Sequence, residues 1–233
     1  MTIKEMHYDF KKKFNKIDTQ KNKNLLVPEI DWALREAEVL FIKLIAEPRL
    51  RNHLGFEVSQ RNIDDIKSIV VPDETIAVTN SIVSLPQDYM FYVRAYALMS
   101  KGNCQNVKGR LHIRQYDDEF EESPFDNSSF EWRQVNAVFN QNGLQVFTDG
   151  TFNVDNVSLT YIRKPRFMHN AEDFQAGTYT LPSGVVLTGS ANCELPEHTH
   201  PEIVDLAVVL ASGEVQTSDL QTKLNKLSMN QIF

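Results

Sequence analysis

The hydrophobic period of this chain changes twice along its length, and that limits its fold more than any other feature. Apolar residues recur at helical spacing over 30–45 (Ile30, Leu34, Ala37, Phe41, Leu44, widened by Leu40 and Ile45) and again over 203–211 (Ile203, Leu206, Ala207, Leu210, Ala211). Between them, from about 66 to 187, apolar and polar residues alternate. A period near 3.6 buries one stripe of a helix, and a period of two buries one face of a strand. The order helix, β block, helix predicts an α+β chain. Its terminal helices pack together, with an antiparallel β sheet, sandwich or small barrel inserted between them. The expected parts are a basic N-terminal arm (1–26), a helical part (27–65 and 195–233) and an inserted β domain (66–190).

Local signals set the element ends. Pro28 suits a first helical position, Glu29 and Asp31 favour the positive end of the helix, and Pro48 stops it. Strands are expected at 66–71, 75–85 and 91–100, the last placing Phe91, Val93, Ala95, Ala97 and Met99 on one face. Gly102-Asn103 marks a turn, after which Leu111, Ile113 and Gln115 alternate with His112, Arg114 and Tyr116. Asn142-Gly143 and Asp149-Gly150 then predict consecutive hairpins over 134–154, because such pairs supply the positive φ of tight turns. A strand at 157–163 stops at Pro165, and a last hairpin turns at Ser183-Gly184. Pro201-Glu202 opens the closing helix, with an interruption near Ser212-Gly213 and a second helical segment carrying Leu220, Leu224 and Leu227.

Charge is distributed unevenly. The whole chain of 233 residues carries a net −7, which argues against a globally basic nucleic-acid binder. Residues 1–26 nevertheless hold seven lysines against Glu5, Asp9 and Asp18, a local +4. Met6, Phe10, Phe14 and Ile17 are spaced for one short amphipathic helix there, and Lys11-Lys12-Lys13 is the one candidate for phosphate contact. Residues 117–131 reverse the sign: Asp117, Asp118, Glu119, Glu121, Glu122, Asp126 and Glu131 with no base, and Phe120, Phe125 and Phe130 between them. With Pro124 and several Ser and Asn, this reads as a long acidic loop, either solvated or a docking surface that covers its aromatics. Two cysteines, Cys104 and Cys193, make no disulfide scaffold and fit a reducing compartment. No apolar run is long enough for a spanning helix, and no secretory h-region follows Met1, so no membrane association is expected.

Residues that carry chemistry are sparse. Cys193, Glu194, Glu197, His198, His200 and Glu202 are of metal-ligating type, but at no recognised ligand spacing. No phosphate-cradling glycine motif or Gly-x-Ser-x-Gly occurs, and Cys104 has no basic neighbour closer than Lys101. The expectation is a non-enzyme without catalytic residues, metal or cofactor.

Three stretches together resemble one family of structural proteins. Val27-Pro-Glu-Ile-Asp-Trp-Ala-Leu-Arg-Glu-Ala-Glu-Val-Leu-Phe-Ile-Lys43 looks like a long first helix, and Leu85-Pro-Gln-Asp-Tyr-Met-Phe-Tyr-Val-Arg-Ala-Tyr96 is similar to a Leu-Pro-x-Asp-Phe/Tyr lead-in to a strand. Val157-Ser-Leu-Thr-Tyr-Ile-Arg-Lys-Pro165 gives a strand ending in Tyr-x-Arg-x-Pro, and Leu195-Pro-Glu precedes the closing helix. In this order they resemble the adaptor or ring proteins beneath the portal of short-tailed phages, the tail-tubular-protein-A and head-to-tail-connector group, most closely the ring proteins of crAss-like phages. The resemblance spans most of 27–211 and departs from compact adaptors in the acidic loop and the 178–188 hairpin. It implies a virion protein at the head–tail junction, assembled in the host bacterial cytoplasm. Copies would form a homo-oligomeric ring, typically twelvefold, bound to the portal protein and to further tail or ring proteins. The ring would extend the channel through which phage DNA passes without specific binding. The alternative is a receptor- or sugar-binding β module of a phage tail, which would expose aromatics around a groove. Expected interface residues are Phe10, Lys11, Lys12, Lys13 and Phe14 on the arm, Asp117, Asp118, Glu119, Phe120, Glu121, Glu122 and Phe125 on the acidic loop, and Ile232 and Phe233 at the end of the chain.

Overall fold

A computed structural model describes residues 1–14, 25–46, 64–114, 127–214 and Asn225. The chain forms two compact units, Met1–Ile69 with Pro165–Phe233, and Val70–Lys164. The fold is α+β, with helices in the first unit and a closed β-barrel as the second. The inserted unit is narrower than the expected 66–190. Residues 64–66 are helical and Lys67–Ile69 form a 3-10 turn, where a strand was expected from 66, and the hairpin after Pro165 belongs to the helical unit.

In the helical unit, α1 (Ile3–Phe14) opens with a reciprocal capping box. Thr2 Oγ1 accepts from the Glu5 N–H at 3.3 Å and Glu5 Oε2 accepts from the Thr2 N–H at 2.8 Å. α2 (Val27–Ala46) starts in a similar way, with Glu29 Oε2 reaching back to the Leu26 N–H at 2.7 Å. α3 (His200–Glu214) runs unbroken through Ser212-Gly213, and the Ser212 hydroxyl donates back to the Val208 carbonyl. The second segment expected around Leu220, Leu224 and Leu227 lies outside the described residues. Both α1 and α2 pack on α3, around a core that includes Ile3, Met6, Phe10, Ile30, Leu34, Ile42 and Ile203, all at most 1% exposed. Fully burying one such side chain stabilises by about 1.5–3 kcal/mol, so this shared core is what fastens α1. Two small sheets complete the unit: β8 (His169–Asn170) with β11 (Ser190–Ala191), and β9 (Thr178–Thr180) with β10 (Val186–Thr188). The expected turn at Ser183-Gly184 is present, with Gly184 at φ 83°.

The barrel unit contains β1 (Val70–Thr79), β2 (Ile82–Val83), β3 (Tyr89–Lys101), β4 (Cys104–Ile113), β5 (Gln134–Asn140), β6 (Gly143–Phe147) and β7 (Asn153–Arg163). They close in the order β1-β2-β6-β5-β4-β3-β7, with β7 returning to β1. Closure pairs strands all the way round, and Ala95, Ala97, Met99, Leu111, Val135, Leu144, Val157 and Leu159 form its core. One pair, β4 with β5, is parallel. Parallel neighbours need a long crossover, which is why the acidic stretch falls on the connection between these two strands.

Three local expectations are corrected. The strand expected over 75–85 is split by a two-residue turn with Asn80 at φ 52° and Ser81 at φ 62°, the positive pair that a type I′ turn requires. β6 and β7 are not paired, so 149–150 is not a hairpin turn; Asp149 Oδ1 instead takes the Thr151 N–H at 2.8 Å and redirects the chain. Val93 is 47% exposed, because a register shift between Tyr92 and Arg94 breaks the alternation that buries Ala95, Ala97 and Met99.

Candidate functional site

The structure divides the basic N-terminal residues into two faces. Phe10 and Phe14, four residues apart on α1, stack at 5.6 Å between centroids and are 0% and 3% exposed. They are spent inside their own unit, which corrects the expectation that they offer an apolar surface to a neighbour. Helical spacing puts them on the inner stripe with Ile3, Met6 and His7. Lys13 is likewise engaged internally, 2.6 Å from Asp9 and 2.9 Å from Asp205. Partial burial works against its charge, but the hydrogen bonds to Asp9 and Asp205 prevail and hold its pKa above the usual lysine value. Lys4 pairs with Glu172 at 2.8 Å. Lys11 and Lys12 are exposed, with no ion-pair partner among the described residues, beside Tyr8 at 73% exposure. The expected interface residues Asp117, Asp118, Glu119, Phe120, Glu121, Glu122, Phe125, Ile232 and Phe233 lie outside the described residues.

Sequence reasoning missed the polar centre of the helical unit. Asp31 reads in the sequence as an acid that favours the positive end of a helix, yet it is 0% exposed. Its Oδ1 accepts from His7 Nε2 at 2.7 Å, its Oδ2 from the Tyr179 hydroxyl at 2.6 Å, and both oxygens face the Asn170 N–H at 3.2 and 3.1 Å. Burial foremost, then the Asp31 carboxylate, pushes the Tyr179 phenol far above its ordinary pKa, so it stays a donor. The carboxylate thus ties together α1, α2, β8 and the β9 hairpin. An aspartate beside a histidine and a tyrosine could suggest proton transfer. Here both oxygens of a carboxylate with no exposed surface are filled by internal donors, the arrangement of a structural lock. The available signal was periodicity: Asp31 and Glu38, seven apart, lie in the same stripe as Leu34, Phe41 and Ile45.

The metal-type residues of 193–200 are separately engaged. Cys193 Sγ donates to the buried Glu38 Oε1 at 3.3 Å, His198 Nε2 meets Asp65 Oδ1 at 2.7 Å, and His200 Nε2 donates to the Leu195 carbonyl at 2.8 Å. Burial, reinforced by Glu38, pushes the Cys193 thiol well above its ordinary pKa and away from nucleophilic use. Among the described residues no three His, Cys, Asp or Glu converge to hold a metal ion.

In the barrel unit, Tyr161 is 2% exposed and its hydroxyl lies 2.8 Å from Glu74 Oε2 and 3.1 Å from Asp88 Oδ1. Tyr89 packs on Tyr161 and Phe139 at 5.8 and 6.4 Å, and Tyr92 meets Phe139 edge-on at 5.8 Å. Elsewhere on the barrel, the turn before β5 presents Trp132 at 84% exposure. That turn is pinned by paired backbone bonds between Ser129 and Gln134, with Arg133 at φ 52°.

Compared with known proteins, the chain matches no family model and no curated protein. Among the described residues, no helix is long and apolar enough to cross a membrane.

Proposed function

We propose that the chain is a structural virion subunit that assembles into a ring beneath the portal of a short-tailed phage, joining head to tail and extending the DNA channel. The observation that carries this reading is the placement of the three resembling stretches. The first coincides with α2, a single twenty-residue helix. The second leads through Pro86 into β3, the longest barrel strand, at thirteen residues. The third is β7, which runs beside β3 and hands the chain back to the helical unit at Pro165, and the Leu195-Pro196 lead-in opens onto α3. The stretches therefore fall on regular elements of both units, two of them on neighbouring barrel strands, which supports the reading. The acidic bulk suits a channel wall that lets DNA phosphates pass without sticking.

In this role the protein is not an enzyme, and its chemistry is that of interfaces. Mixing purified protein with its portal and measuring the mass of the complex tests it. A defined multiple of the 233-residue chain bound to portal is expected, and a monomer indifferent to portal would refute the reading. The exposed Trp132 favours a second reading, a receptor- or sugar-binding module, because aromatic faces stack on sugar rings. Binding to a glycan array that Trp132→Ala abolishes would favour that reading over the ring.

A further inference from the structure

We propose that the outward face of α1, Tyr8 with Lys11 and Lys12, is the docking surface for the acidic segment 117–126 of a neighbouring copy of this chain. The inference rests on the ring reading and names the contact by which one copy would hold the next.

α1 is built to present a fixed surface. Its start is capped by Thr2 and Glu5, its inner stripe is buried, and Lys4 and Lys13 are held by Glu172, Asp9 and Asp205. Among the lysines of α1, Lys11 and Lys12 are exposed and have no ion-pair partner among the described residues; they lie three and four residues beyond Tyr8 and therefore on the same face. An exposed ring beside two ammonium groups, on a helix that cannot turn, pays little ordering entropy when it binds. Its complement lies elsewhere in the same sequence: Asp117, Asp118, Glu119, Glu121, Glu122 and Asp126 with no base, and Phe120 and Phe125 among them. Carboxylates meet the lysines, and phenylalanine rings meet Tyr8. Twelve residues, 115–126, separate the described ends Arg114 and Asn127, a contour of up to roughly 40 Å. Ring closure supplies the reason for a neighbouring copy. A ring of identical subunits needs two different, mutually complementary patches on each copy, and a basic stripe with an acidic segment is such a pair.

Zero-length carbodiimide crosslinking of a mixture of ¹⁴N- and ¹⁵N-labelled full-length protein tests the contact. Mixed-isotope peptides joining Lys11 or Lys12 to the acidic segment are expected; only same-isotope pairs, or none, overturn the proposal. Charge reversal tests it independently through oligomer mass. K11E/K12E and E119K/E121K/E122K should each weaken self-association at least tenfold at low salt while leaving the circular dichroism spectrum unchanged. An equimolar mixture of the two variants should restore association. If the mixture fails to restore it, or if K11E/K12E loses only retention on duplex DNA with oligomer mass unchanged, the surface is not this interface. Wild-type protein that stays monomeric with and without portal refutes the ring reading and this contact with it. Rings that form equally well from K11E/K12E refute only the contact.

Discussion

Tyr179 reaches Asp31 across 148 positions of sequence and donates its phenolic hydrogen in a 2.6 Å bond to a carboxylate with no exposure to water. The bond links the β9 hairpin to the second helix, and His7 and the Asn170 N–H complete the carboxylate's shell. Asp31→Ala leaves three buried donors without an acceptor and should cost about 3–5 kcal/mol, on the scale of breaking a buried pair. Tyr179→Phe removes one charge-assisted bond and should cost about 1.5–3 kcal/mol. Urea unfolding of both variants checks the order, and a Tyr179→Phe loss equal to that of Asp31→Ala would contradict a shared carboxylate hub.

The two cysteines should differ sharply in reactivity. Cys104 is exposed at the start of β4, whereas burial and the Glu38 carboxylate hold the Cys193 thiol protonated. Titration of native protein with an aromatic disulfide at pH 8 should modify one thiol quickly and the second only on unfolding. Two fast thiols would contradict the described environment of Cys193.

His200 makes stability fall on the acid side. It is 3% exposed, and burial pushes its pKa below the ordinary value of 6.5. As pH falls the unfolded chain takes up the proton first. This contribution is therefore intact above about pH 6.5 and is lost as pH drops through the lower, folded value, by at most about 1.4 kcal/mol per pH unit. Unfolding free energies measured from pH 7.5 to 5 should fall more steeply for the wild type than for His200→Gln; parallel profiles would contradict this.

Gly143 is held by close approach. A side chain there would place Cβ 2.2 Å from the Val83 carbonyl oxygen, at a φ of 130° that L residues avoid. At Gly102, with φ 57°, a Cβ meets nothing within 4 Å. Gly102→Ala should therefore cost about 1 kcal/mol, while Gly143→Ala should cost several-fold more or prevent barrel formation. Thermal melts of the two variants check the contrast.

The parts legible in sequence are those that depend on near neighbours. In the stripe that the spacing predicts, Ile30, Leu34, Ala37, Phe41 and Ile45 are buried and Leu40 and Leu44 half-buried, and the 178–188 hairpin turns at Gly184. What escaped depends on distant partners. The Asn142-Gly143 pair reads as turn chemistry, yet Gly143 is a strand residue whose missing side chain admits the backbone of β2. Val93 continues an alternation that a bulge opposite β7 cancels. Asp31 looks like a helix-end acid until Tyr179 and Asn170 are brought to it. The candidate docking surface was half legible: charge marks Lys11, Lys12 and Lys13 alike, the i,i+4 spacing of Asp9 and Lys13 hints at one pair, and the position of Asp205, 192 residues further on, completes the separation of Lys13 from the other two.

The central claim is that copies of this chain form a ring on a portal, and electron microscopy of the full-length protein mixed with its portal tests it most directly. The account predicts a closed ring of this chain, coaxial with the portal and absent when the protein is omitted. Portal particles that look the same with and without the protein, beside free monomers, would contradict it.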